Sequence, residues 1–341
     1  MCKETTLIIR TMNRSKFLNN CFKYYAHNNF KGQFIILDSS STKEVIKTTS
    51  VIDKFKSFFK IYYFHKVDHP TQITKHFANK IQTKYSIVSA DDDFYCVDTI
   101  TFLENYLNKN PTIKIANGKA LRMDLLQNNI LVSDYYIPDK CNDSDPYNRL
   151  CDYLLNYGPI IQSCLIETKL LIEICKFIPS GKDLNKCPIR SISDELLMES
   201  IMVLSSKVVH FDKLILFRTI HGNNSNLPRS HTNNEITLST NYFLNTVNKF
   251  SKNKFNYSLD TRQLKKLKEY LSVFFLKPLS FKQKIIRNNT KIRLYLKKII
   301  FKSNYVRSFY SSKKYNNSLS NYLTDKKKFY KEIEVASKFI S

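Results

Sequence analysis

Three consecutive carboxylates, Asp91, Asp92 and Asp93, stand in the middle of YSIVSADDDFYCVD, residues 85–98. Adjacent carboxylates repel, and beside apolar side chains each is costly unless something pairs with it. Two readings fit. One is a solvated acidic turn. The other is a site for a hard divalent cation, Mg2+ or Mn2+, which takes oxygen ligands and can share phosphate oxygens with a substrate. The apolar run before the triplet, and Phe94 and Tyr95 directly after it, favour the site.

The surrounding elements decide where such a site would lie. Residues 5–11 form a short strand-like run, followed by Phe17, Leu18, Cys21, Phe22 and Tyr25 at helical spacing, with Ser15 as a candidate cap. A second apolar run, 33–37, ends at Asp38 and three serines, and a helical stretch covers about 42–55. Residues 61–64 read as a third strand, 71–83 as a helix and 85–88 as the strand that enters the triplet. Near-continuous apolar strands separated by helices indicate a mostly parallel sheet flanked by helices. Ligands of such sheets gather beyond the carboxyl ends of the strands. Asn13 and Arg14, Asp38, and Asp91–Asp93 all follow strands, so one rim should hold them all. Further on, 99–107 reads as a helix, 113–123, 130–136, 160–166 and 208–218 as strands, 138–149 as a polar loop, 151–156 as a short helix and 192–204 as a helix. From about 240 the pattern changes to Lys-rich helical segments at 263–276, 282–301 and 326–338.

The totals set the class. A chain of 341 residues with 43% apolar side chains can bury a sizeable core in one large or two modest domains. Eight cysteines show no CxxC pair and no zinc-like spacing, which suits reduced, buried fillers. The start of the chain has one short apolar run broken by Arg10, unlike a signal peptide, and no stretch approaches the roughly 20 apolar residues of a membrane span. The net charge of +25 is concentrated late: residues 251–341 carry 23 Lys and Arg against five Asp and Glu, a net +18.

The succession TLIIRTMNRSKFL, FIILDSSS, IVSADDDF, SDELLM and FRTIHGNNSN, across residues 5–226, resembles family 2 type glycosyltransferases of GT-A fold, in particular bacterial surface-polysaccharide (capsule or lipopolysaccharide) transferases. The resemblance implies inverting transfer of a sugar from a nucleotide-sugar donor, UDP-sugar favoured, to a glycan or lipid-linked glycan, with diphosphate as leaving group. It places Thr11 and Arg14 beside the nucleotide, with Asn13 shaping the turn there, and Asp38 on the base; the competing reading of Asp38 is a strand-end Asx turn. It puts Asp93 on a Mn2+ or Mg2+ ion and Asp92 on the ribose, and leaves Asp91 as either a partner of Asp93 or a strand-end cap. An inverting reaction needs a general base on the acceptor hydroxyl. The family's base is an acid at the start of the 192–204 helix, which selects Asp194, with Glu195 as its neighbour. Helix-start acids after a Ser193 cap are the plainer reading of both. His221 is implied as a metal or phosphate ligand and Arg218 as a second cation for the leaving group; His221 also reads as an ordinary loop histidine.

The division expected is a transferase domain over 1–240 and a basic, amphipathic helical region over 241–341. The basic region suits an anionic membrane surface, where lipid-linked acceptors sit, and 271–286 interleaves Leu, Phe and Lys accordingly. A merely solvated face or a contact between copies in a homo-oligomer competes. Nucleic acid is disfavoured: no Gly-rich loop, zinc knuckle or helix-turn-helix pattern is present. The expectation is a cytoplasmic enzyme, peripheral on the cytoplasmic face of the inner membrane. The alternatives are transfer of a non-sugar or polyol-phosphate group on the same fold, or a basic nucleic-acid-binding protein.

Overall fold

A computed structural model describes residues 3–65, 80–126, 129–135, 141–155, 164–179, 185–189, 191–220, 231–276 and 326–340. The expected 71–83 and 282–301 helices lie largely or wholly outside these residues. The chain opens as β1 (Thr5–Thr11), α1 (Ser15–His27), β2 (Gln33–Asp38), α2 (Thr42–Phe55), β3 (Lys60–His65) and β4 (Tyr85–Ala90). Every residue of β2 is buried, as a strand covered on both faces requires. Alternation then divides the strands between two cores: Leu7, Ile9, Phe34 and Ile36 face the side of α1 and α2, while Ile8, Ile35 and Leu37 face the other.

Next come β5 (Asp93–Tyr95), α3 (Val97–Lys109), β6 (Ile115–Leu126), β7 (Asn129–Tyr135), α4 (Pro146–Leu155), β8 (Leu165–Glu167) and α5 (Thr168–Cys175). A π-helical turn, Ser191–Leu196, leads into α6 (Leu197–Ser205), followed by β9 (Val208–Ile220), α7 (Asn233–Phe255), α8 (Thr261–Leu276) and α9 (Lys326–Ile340). The strand order is β3-β2-β1-β4-β8-β6-β9-β5, with β7 paired to β6.

The sheet is mixed, which corrects the mostly parallel expectation. β3–β2, β2–β1, β1–β4 and β6–β9 pair in parallel, whereas β4–β8, β8–β6, β5–β9 and β6–β7 are antiparallel. It curls into a half-barrel instead of extending as a parallel sheet. A strand buried on both faces reads as an apolar run whichever way it points, so the direction of β8 left no mark in its composition. Two cap assignments also change. Ser15 is the first helical residue of α1, with Arg14 in the N-cap position, and its hydroxyl donates instead to Glu44 Oε1 at 2.6 Å. Ser193 lies buried inside the π-helical turn, not before it.

The late helices join the cores. α7 runs through residue 240, and Phe243, Val247, Phe250, Leu259, Leu267 and Leu271 share one core with Ile8 and Leu37. On the opposite side α9 returns to α1 and β9, burying Ala336 and setting Phe339 edge-on to Tyr24. The seven cysteines among the described residues are buried. No helix among the described residues is long and apolar enough to cross a membrane.

Candidate functional site

Parallel register aligns the carboxyl ends of four strands. Thr11 pairs with Asp38, Asp38 with His65, and Arg10 with Ala90, so the turns after β1, β2 and β4 emerge along one rim. Asn13 turns the chain out of β1 with φ of 58°, a left-handed conformation that asparagine tolerates better than most residues. Its backbone N–H donates to Ser40 Oγ at 2.7 Å, and its Oδ1 accepts from the Ser41 N–H at 2.9 Å. The turns after β1 and β2 are thereby tied together.

The aspartates sit under this rim and are not a solvated turn: Asp91, Asp92 and Asp93 are 1%, 5% and 7% exposed. Their surroundings differ. Asp91 Oδ2 accepts from the Thr11 hydroxyl at 2.6 Å and Oδ1 from Arg14 Nη1 at 3.3 Å. The same Arg14 nitrogen donates to Asp92 Oδ2 at 3.0 Å, and the guanidinium lies 5.5 Å from the centre of the Phe17 ring. Asp93 begins β5, opposite Arg218 on antiparallel β9, and its Oδ1 accepts from the Thr219 N–H at 3.3 Å. Burial, then the charge of Asp92, push the Asp91 carboxyl up to about 7 against the pull of Thr11 and Arg14. Burial also raises Asp93, and Arg218 is the strongest opposing influence.

Phe94 and Tyr95 hold the triplet from below. Tyr95 N–H donates to Tyr25 Oη at 3.1 Å, Tyr24 Oη donates to the Tyr95 carbonyl at 3.2 Å, and Phe94 packs edge-on against Tyr24 at 4.9 Å. The aromatic pair after the aspartates is therefore a strand bolted to α1.

Asp38 is fully buried and holds two donors: the Ser40 N–H on Oδ1 and Tyr63 Oη on Oδ2, each at 2.8 Å. The strand-end turn read from its position is present. His65 closes β3 beside it, with Nε2 2.9 Å from the Ser40 carbonyl. The sequence alone gave neither His65 nor Tyr63 a role. Both become visible only when β3 is counted out against β2 in register, since Asp38 and His65 each end a strand. Arg10, noted from the sequence only as a break in the first apolar run, contributes positive charge near Asp93.

Asp194 and Glu195 occupy the π-helical turn ahead of α6, Glu195 partly exposed. His221 lies outside the described residues, directly after β9. Among the described residues no group of three or more His, Cys, Asp or Glu is arranged to hold a metal ion. Mg2+-type sites need only one or two carboxylates when phosphate and water complete the shell. Asp93, a hard oxygen donor with one backbone N–H on Oδ1, suits that role, since a carboxylate has about four acceptor positions. Asp91, 1% exposed, is instead turned to Thr11 and Arg14, each of which engages one of its oxygens.

No protein-family model matches the chain, and no curated protein matches its sequence. Solved structures of S. aureus TarS are similar to it. TarS 1–349 in complex with UDP superposes with a TM-score of 0.52 at 12% identity, covering 82% of this chain and 73% of that one. The complex with UDP-GlcNAc gives 0.50 at 11%, covering 79% and 81%. A longer TarS structure gives 0.50 at 12% over 82% of this chain, which spans only 44% of that TarS chain. At such identities the likeness is one of architecture: this chain carries a mixed-sheet α/β fold similar to that of TarS.

Proposed function

We propose that the protein is an inverting glycosyltransferase that moves a sugar from a nucleotide-diphosphate donor, UDP-sugar favoured, to a hydroxyl of a glycan or lipid-linked glycan of the bacterial surface. The observation that carries this reading is the rim itself. A buried aspartate triplet is tied by Thr11 and Arg14 to the carboxyl end of β1, level with Asp38 at the end of β2. The fold likeness to TarS, which has been solved with UDP and with UDP-GlcNAc, supports it.

Each residue then has a task. Thr11, Asn13, Arg14 and Asp38 shape the nucleotide side of the rim, and Asp92 faces the ribose. Asp91 fixes Thr11 and Arg14 in place. Asp93, with His221, would hold Mn2+ or Mg2+, which supplies charge neutralisation to the departing diphosphate. Arg218 adds positive charge to the same leaving group. Asp194, with Glu195 beside it, takes the acceptor hydroxyl's proton as that oxygen bonds to the anomeric carbon and the carbon–phosphate oxygen bond breaks, its electron pair leaving with the diphosphate. The basic residues of 250–341 hold the enzyme against anionic lipid on the cytoplasmic face of the inner membrane.

A thermal-shift screen of nucleotide sugars with and without Mn2+ finds the donor, and product formation is then followed for variants. Asp93→Asn is expected to lower turnover at least about 100-fold while the unfolding midpoint holds within a few degrees. Undiminished turnover removes the metal assignment. Asp194→Asn is expected to lower kcat with donor affinity unchanged.

A further inference from the structure

On the donor reading above, we infer that the nucleobase is read by His65, with Asp38 as a positioning residue behind it. Asp38 has no solvent exposure, and its two oxygens already accept from Ser40 N–H and Tyr63 Oη. With no exposed surface, the carboxylate is out of reach of an incoming base unless the turn that covers it moves. What Asp38 does is fix the turn at residues 39–41, which Asn13 clamps from the β1 side through Ser40 Oγ and the Ser41 N–H.

His65 is the next polar group along the rim. Thr11, Asp38 and His65 form one register row across β1, β2 and β3, and residues paired in register share a face of the sheet. His65 is partly exposed, in contrast to Asp38. Its Nε2 lies 2.9 Å from the Ser40 carbonyl. A carbonyl only accepts, so Nε2 carries the proton, and in a neutral ring Nδ1 is then an acceptor. That acceptor is complementary to a base with a ring N–H on its pairing edge, the imide of uracil or the lactam of guanine. Cytosine and adenine present a lone pair at the equivalent ring nitrogen and would meet it unfavourably. Selection of a ring-N–H base thus follows from the hydrogen bond His65 makes to Ser40, without direct contact from the carboxylate.

Calorimetric titration of the full chain with UDP, GDP, CDP and ADP in Mn2+ tests this. Wild type should favour UDP or GDP over CDP and ADP. His65→Ala should weaken the favoured nucleotide about tenfold, consistent with one lost hydrogen bond. It should also bring the four affinities within about threefold of one another, with the unfolding midpoint unchanged. Tyr63→Phe, which disturbs only the support of Asp38, should lower the midpoint and keep the ranking. An unchanged ranking in His65→Ala, or a ranking lost in Tyr63→Phe alone, overturns the inference while leaving the donor reading intact. Failure of wild type to bind any of the four overturns both.

Discussion

Asp91 makes its contribution through what it holds, and its loss should therefore be read in stability before it is read in turnover. The Thr11 hydroxyl and one Arg14 nitrogen both donate to it inside a nearly closed environment. Truncation would leave the buried Thr11 hydroxyl without its acceptor, while Arg14 keeps Asp92, at about 1–3 kcal/mol for a buried polar group left unsatisfied. Denaturant unfolding of Asp91→Ala should show a loss of that size, whereas relief of repulsion on Asp92 and Asp93 works in the opposite direction. A gain in stability would mean that repulsion dominates and that Asp91 is not a strut. At this scale the sequence made the triplet visible and left its members alike. What separates them comes from afar: Thr11 and Arg14 lie roughly 80 positions upstream of the triplet, and Thr219 lies 126 beyond Asp93. No local pattern encodes such partners. Asp38 illustrates the same limit, because Tyr63 reaches it only through the pairing of β2 with β3.

Among the elements, β5 is short and depends on its neighbours. Three residues cannot hold a strand in place on backbone pairing alone, and β9 on one side is matched by α1 on the other. The Tyr25 hydroxyl accepts the Tyr95 N–H and should be the more fragile of the two tyrosine links. Tyr25→Phe keeps the ring packed among Phe30, Phe34 and Tyr24 but leaves that buried amide unpaired. About 1–3 kcal/mol of stability should be lost, and turnover should fall too, because β5 carries Asp93. A variant as stable and as active as wild type would show that β9 suffices. Periodicity made α1 and α2 readable: Leu18, Cys21, Phe22 and Tyr25 recur at helical spacing and are all buried. It failed for β5, hidden behind the aspartates, for α5, whose eight residues are too few to show a period, and for α7. The apolar stripe of α7, Phe243, Val247 and Phe250, is diluted by Asn, Ser, Thr and Lys over 23 residues. The start of α4 was likewise absorbed into the polar loop expected at 138–149, since the helix opens on Pro146 and Tyr147.

For the molecule as a whole, charge and packing pull the C-terminal region in two directions. Its lysines suggest a surface that meets an anionic partner, while Leu259, Leu267 and Leu271 sit in the same core as Ile8. Cutting the chain at residue 250 would therefore break the core along with any membrane contact. Charge reversal is the cleaner probe. Lys252, Lys265, Lys266 and Lys268 are exposed, so converting all four to Glu should leave the unfolding midpoint nearly unchanged. Co-sedimentation of the full chain with vesicles containing anionic lipid should fall several-fold, and added salt should weaken wild-type binding in the same way. Equal binding by both proteins would remove these lysines from the membrane contact. Fold class was readable from the order of the early strands; the mixed direction of the sheet was not, because direction is set by connections and not by composition.

The return of α9 to α1 has a consequence for how the protein is made. Phe339 meets Tyr24 and His27 across more than 300 positions of chain. At about 5–20 residues per second, the first helix waits roughly 15–60 seconds on the ribosome before its outer cover exists. During that interval the aromatic flank of α1 is open to any chaperone or neighbouring nascent chain. Yield in the cell should consequently respond to translation speed and to the availability of holdases, even under conditions in which the finished molecule is stable.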